Sequence, residues 1–183
     1  SLNPNFYIKW PKPALELLER GYEQAGEVFL AGYRKRAPLM INVIDGKIRA
    51  HLKEGYAACD KCGFGDNEIA IAPSGNIYPC ERIVADDTNA ELRLGNVFDG
   101  FDSGRRSKIL ACRGNTDAEC RECPVRERCM NWCGCINYAT TGAINRVDGL
   151  VCRHERLSIR VADRVGAVLY AESNPAFMAK FYS

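Results

Sequence analysis

No run of about eighteen apolar residues occurs in this chain, so nothing in it is suited to span a membrane. No long block of one charge sign occurs either. With 25 basic and 23 acidic residues the formal charge is +2, and a nucleic-acid footprint is not indicated. Internal repeats and low-complexity tracts are absent. So are an initiator methionine and a signal peptide. The opening Ser1-Leu2-Asn3-Pro4 reads as the start of a piece cut from something longer, so the missing signal says little about the parent. What remains is 183 residues, 46% of them apolar, enough for one sizeable domain or a small domain with a helical appendage.

Cysteine is plentiful. There are ten, nine of them in two regions. The first holds Cys59, Cys62 and, after the Ser74-Gly75-Asn76 turn, Cys80. The second holds Cys120, Cys123, Cys129, Cys133 and Cys135, followed by Cys152; four of these fit C-x2-C-x5-C-x3-C. Thiolate is the donor that soft metals and iron–sulfur clusters select. A tetrahedral site needs only four ligands, so the second region alone offers too many for one site. Two four-thiolate sites would use eight of the ten. The C-x2-C spacings favour metal in a reducing cytoplasm over disulfides, because residues three apart bridge poorly.

The rest of the chain supplies a scaffold. Phe6-Tyr7-Ile8 reads as a short strand, and Pro13 as a first helical residue. Leu15, Leu18, Tyr22, Ala25, Phe29 and Tyr33 mark one face of a helix over about 13–34. Leu39 to Ile44, then Asp45-Gly46 and Lys47-Ile48-Arg49, predict a hairpin. Asn67 to Ala72, the Pro73–Asn76 turn and Ile77-Tyr78 predict a second hairpin, which would bring Cys62 and Cys80 together. Gly63 and Gly65 would let the backbone approach a bulky cluster closely. Leu92 to Val97 reads as one more strand, and Asp102 or Ser103 as the cap of a helix through Leu110. Arg105 to Arg128 holds seven basic and four acidic residues, either a positive collar around thiolates or an ordinary solvated face. Ala139 to Asp148 reads as a loop or short hairpin near Gly142. After Cys152, the spacing of Leu157, Val161, Val165 and Leu169 predicts an amphipathic helix, and Asn174-Pro175 opens a last short one. Together these elements predict an α+β fold.

The cysteine order, C-x15-G-x4-C from Cys59 through Gly75 to Cys80, then C-x2-C-x5-C-x3-C, then Cys152, resembles a known family pattern. It is similar to the SPASM domain, the C-terminal auxiliary-cluster domain of many radical SAM enzymes that modify peptides and proteins. Ile71 to Cys80 and Leu94-Gly95-Asn96-Val97 look like that family as well. The resemblance covers about residues 55–155, leaving 1–54 as a helix and hairpin leading from a missing radical SAM barrel and 156–183 as C-terminal helices. It implies two 4Fe–4S clusters: Cys59, Cys62, Cys80 and Cys133 for the first, and Cys120, Cys123, Cys129 and Cys152 for the second. It also implies a peptide or protein substrate, often a ribosomally made precursor, with electron relay and substrate positioning as the roles of the clusters. The radical SAM signature C-x3-C-x2-C is absent, so S-adenosylmethionine would belong only to the missing core domain, this chain's implied partner.

The alternative is a four-cysteine zinc module, since Cys59-x2-Cys62-Gly63 resembles half of a zinc ribbon. Cys112 reads as a buried small hydrophobe, and Cys135 as a spare cysteine with a minor claim as a substitute ligand. His154 reads as a surface or helix-side residue. Trp132 and Tyr138 read as shields of the clusters or simply as core.

Overall fold

The computed structural model describes residues 4–114 and 117–182; Ser1-Leu2-Asn3 of the opening lie outside them. These residues form a mixed α+β architecture of helices and one small antiparallel sheet. The chain divides into two compact units. One comprises Ser1–Tyr56, Pro124–Cys129 and Gly149–Ser183; the other comprises Ala57–Cys123 and Met130–Asp148.

The first unit is helical. Helix α1 (Lys12–Arg34) has Pro13 in its first turn and buries Tyr22, Phe29, Leu30 and Tyr33, the face its spacing predicts. Helix α2 spans Asn42–Leu52. The predicted hairpin does not form there. Ile44 and Ile48, one turn apart, are buried, and the Asp45 carboxylate accepts the backbone N–H of Ile41 at 2.8 Å, securing the helix start. Burial of that face overrides the Asp-Gly turn signal, and Gly46 is carried inside the helix. The Phe6–Ile8 strand does not form either. Those residues lie in a turn, and the Phe6 ring packs edge-on against His154. Leu157, Val161, Ala162, Val165 and Leu169 of a long C-terminal helix, with Phe177 of the last helix, complete one apolar core. Each fully buried side chain of this size contributes roughly 1.5–3 kcal/mol.

The second unit holds the sheet. Strands β1 (Ala70–Ile71), β2 (Asn76–Tyr78), β3 (Gly95–Asn96) and β4 (Gly100–Phe101) follow one another in sequence order, all antiparallel. The register pairs Ala70 with Tyr78 and Ile77 with Gly95. The Ile71–Ile77 hairpin therefore stands where the turn signal put it, and β3 is a shorter strand than Leu92 to Val97 predicts. Helix α3 (Glu81–Val84) starts directly after Cys80. Helix α4 (Ser103–Ala111) is capped by Asp102, whose carboxylate accepts the Arg105 N–H at 2.9 Å. A short α5 (Ala118–Arg121) follows.

Helix α6 (Gly134–Thr141) replaces the first part of the loop expected over 139–148, and Gly142 ends it in the left-handed conformation. The fully buried Asn137 amide donates to the carbonyls of Asn131 and Ile144, which fixes the chain on both sides of α6. In the first unit, α7 (Gly149–Ala171) begins before Cys152 rather than after it. The last helix, α8 (Pro175–Phe181), is capped by Asn174. No helix among the described residues is long and apolar enough to cross a membrane.

Candidate metal centre

In the second unit, two helix starts present thiols. Cys80 is the N-cap of α3 and Cys133 the N-cap of α6; they are 6% and 7% exposed. Cys135 lies one residue into α6, is 4% exposed, and holds its Sγ 3.6 Å from that of Cys133. Cys80 and Cys62 both feel the charge of Cys133, and Cys62 feels that of Cys80 as well. Four thiols, Cys62, Cys80, Cys133 and Cys135, thus form one electrostatic group.

Their titration follows from position. The hydrogen bond from Cys135 holds the Cys133 thiol down at about 7, against the opposing effect of burial; the Ile136 amide and Arg82 act in the same direction. A helix N-terminus favours an anion for the same reason. Cys135 is pushed up because it gives its hydrogen bond to Cys133 and is itself buried. Loss of water around their thiols pushes Cys62 and Cys80 up as well. The group therefore yields one thiolate readily and holds its other three protons more firmly.

The Cys62 loop is braced from α4 and the residues after it. Arg106 donates to the Gly65 carbonyl at 3.2 Å and to Asp66 at 2.9 Å. Arg113 donates to the Phe64 carbonyl at 3.1 Å and pairs with Asp66. These arginines of the basic stretch thus fasten backbone and carboxylate. The tight spot at Gly63 belongs to the chain itself: a Cβ there would lie 2.8 Å from the Asn67 backbone nitrogen.

Other expected residues are placed as follows. Cys59 is exposed, in a single turn of 3-10 helix over Ala58–Asp60. Cys120 (in α5) and Cys123 lie half-buried in the second unit. Cys129, after the 3-10 turn Arg126–Arg128, and Cys152, in the first turn of α7, lie half-buried in the first unit. Cys112 is exposed rather than buried: α4 buries only Ile109, and Cys112 falls beyond its last turn. Tyr138 is half-buried and its hydroxyl bonds Glu91 and Asn89 at 3.3 Å; Trp132 is half-buried.

His154 is buried, not at the surface. Its Nδ1 is 2.5 Å from the Tyr22 hydroxyl. Burial pushes the Tyr22 hydroxyl up and the imidazole down, so neutral His154 accepts the tyrosine proton at Nδ1. Beside it, Lys47 and Glu155 form a buried ion pair at 2.7 Å. Lys47 Nζ also reaches the Tyr56 hydroxyl at 3.1 Å and the Arg128 carbonyl at 2.9 Å. Sequence reasoning missed this network. Lys47 fell in the predicted hairpin, and its partner Glu155 lies 108 positions away.

Among the described residues, no three or more His, Cys, Asp or Glu side chains are arranged to hold a single metal ion. A four-iron cluster makes a different demand. Each of its cysteines binds its own iron, so the sulfurs need not converge on one point. A group whose gathered sulfurs are all cysteine thiols fits that donor chemistry, with the Glu81 carboxylate accepting from the Cys80 thiol at 3.8 Å.

No family model matches the chain, and no curated protein matches it. Solved structures do. The chain is similar to native anSMEcpe with bound AdoMet (TM-score 0.62) and to anSMEcpe with bound AdoMet and Cp18Cys peptide (TM-score 0.58). In both, sequence identity is 16%, and the match covers 90% of this chain and 47% of the other. The chain thus spans about half the length of the structures it matches. The likeness establishes a shared fold with part of an AdoMet-binding protein, at an identity that speaks for fold alone.

Proposed function

We propose that this chain is the auxiliary-cluster part of a radical SAM enzyme acting on a peptide or protein, with residues 55–155 carrying the clusters between flanking helical segments. In the family pattern the first cluster draws on Cys59, Cys80 and Cys133, with Cys62 as the fourth ligand. The second draws on Cys120, Cys123, Cys129 and Cys152. Two independent lines support the reading: a cysteine order in register with that family, and a fold likeness to a protein solved with AdoMet and peptide. The observation that carries it is the gathering of otherwise distant thiols, Cys62, Cys80 and Cys133, in one unit.

When bound, such a cluster accepts and passes single electrons. The chain's own residues would prepare its place. Cys133 forms a thiolate near neutral pH at the start of α6, and Arg82 favours its charge. Burial of Cys80 and Cys133 excludes water from their sulfurs, and Arg106 and Arg113 hold the Cys62 loop. Full thiolate ligation would favour electron relay over direct attachment of substrate. A core domain bearing C-x3-C-x2-C would supply AdoMet chemistry, and a peptide or protein would be the substrate.

Anaerobic preparation with iron and acid-labile sulfide analysis tests this. About eight of each per chain is expected from two four-iron clusters. One or two zinc ions without sulfide would replace this reading with a structural zinc module.

A further inference from the structure

The four thiols gathered in the second unit are not the four that the family pattern implies. Building on the auxiliary-cluster reading above, we infer that Cys135, not Cys59, completes the first thiolate set with Cys62, Cys80 and Cys133. Cys135 is 4% exposed and its sulfur lies 3.6 Å from Cys133. The Gly65 N–H donates to the Pro79 carbonyl at 3.1 Å, which ties the Cys62 loop to the residue before Cys80. Cys59 and Cys62 are both exposed, but Cys59 is held in a local turn of its own, where the Ala57 N–H donates to the Asp60 carboxylate at 3.0 Å.

The backbone explains how a Cys-Gly-Cys sequence can offer two donors. Cys133 caps α6 and Cys135 lies in its first turn, so both sulfurs lie at the same helix end. Gly134 between them lies against the Phe64 ring; a Cβ there would come within 3.1 Å of that ring. Phe64 follows Cys62 by two residues, so the absence of a side chain at 134 lets α6 approach the Cys62 loop. A cysteine acting only as a small hydrophobe would pack among apolar groups. Cys135 instead holds its sulfur against the Cys133 thiol.

The test uses the full chain, reconstituted anaerobically with iron and sulfide, as wild type, C59A, C135A, C59S and C135S. Iron, sulfide and the electron paramagnetic resonance of the reduced clusters are read, and circular dichroism reports folding. C59A is expected to keep about eight irons and C135A to fall to about four. C135S is expected to shift the resonance of the first cluster by placing oxygen on one iron, and C59S to leave it unchanged. Loss of iron in C59A with retention in C135A overturns the inference, as does equal behaviour of the two. If C135A proves misfolded, the two serine variants decide, and a shift in C59S alone overturns it. Oxidation of Cys133 and Cys135 to a disulfide in the loaded protein overturns it too. A wild type without iron sinks the auxiliary-cluster reading itself, whereas loss confined to C59A sinks only the exchange of ligands.

Discussion

Replacing Lys47 by methionine should unfold the helical unit more readily than any surface change. Lys47 and Glu155 are 4% and 1% exposed, and the lysine ammonium serves Glu155, Tyr56 and the Arg128 carbonyl together. Methionine fills similar space but leaves a buried carboxylate without its cation. Breaking one side of such a pair costs about 3–5 kcal/mol, most of it the desolvation of the abandoned charge. With a urea slope of roughly 2 kcal/mol per molar, the midpoint should fall by about 2 M. Far-UV circular dichroism of the reconstituted chain reads it, because α1, α2 and α7 carry much of the helical signal. The double variant K47M/E155L removes both charges and should recover most of the loss. The Arg128 carbonyl precedes Cys129, so K47M should also loosen the backbone that presents this thiol. A midpoint shift under about 0.5 M, or a double variant no better than the single, would refute the argument, since an uncompensated buried charge could not then be the cause.

Three further outcomes are expected. Gly95 has φ +154°, and a Cβ there would come within 2.2 Å of the Gly100 carbonyl oxygen; Gly95→Ala should break the β3–β4 pairing, read as lost hydrogen-exchange protection at Asp102, whose N–H donates to the Leu94 carbonyl at 2.8 Å. Asn174 accepts the Phe177 N–H at 3.1 Å, so Asn174→Ala should cost about 0.5–2 kcal/mol in thermal or urea unfolding. Burial holds the His154 imidazole below its ordinary range, with Lys47 acting in the same direction and Glu155 against it. The unfolded chain then takes up a proton below about pH 6.5 that the folded chain refuses, so stability should decline as pH falls through that value. His154→Gln should flatten this slope in urea titrations between pH 5 and 7, and an unchanged slope would assign the decline to other groups.

The reading of α2 shows where local signals give way. Asp45-Gly46 between β-branched residues is a strong hairpin pattern, yet the same letters place Ile44 and Ile48 one turn apart, and a helix buries both. Both periods fit such a short segment, and tertiary burial chose between them. Lys47 was illegible for a related reason: its partner lies 108 positions away, and no local pattern announces a buried pair. His154 was misplaced because burial on α7 depends on Tyr22 of α1, another helix altogether.

The sequence by itself marked the two cysteine-bearing regions, and the Pro73–Asn76 turn signal determined the hairpin between Cys62 and Cys80. The 3.6-residue period determined α1 and α7, and Asp102 and Asn174 determined two helix starts. Those features are written over a few residues, where hydrogen bonding and side-chain periodicity act. Only the tertiary structure decided which thiols meet. Cys133 and Cys135 are neighbours at one helix end, Cys80 stands at the start of another in the same unit, and Cys59 and Cys62 are exposed. Convergence of side chains far apart along the chain is fixed by packing of whole elements, and spacing within any one of them carries no record of it.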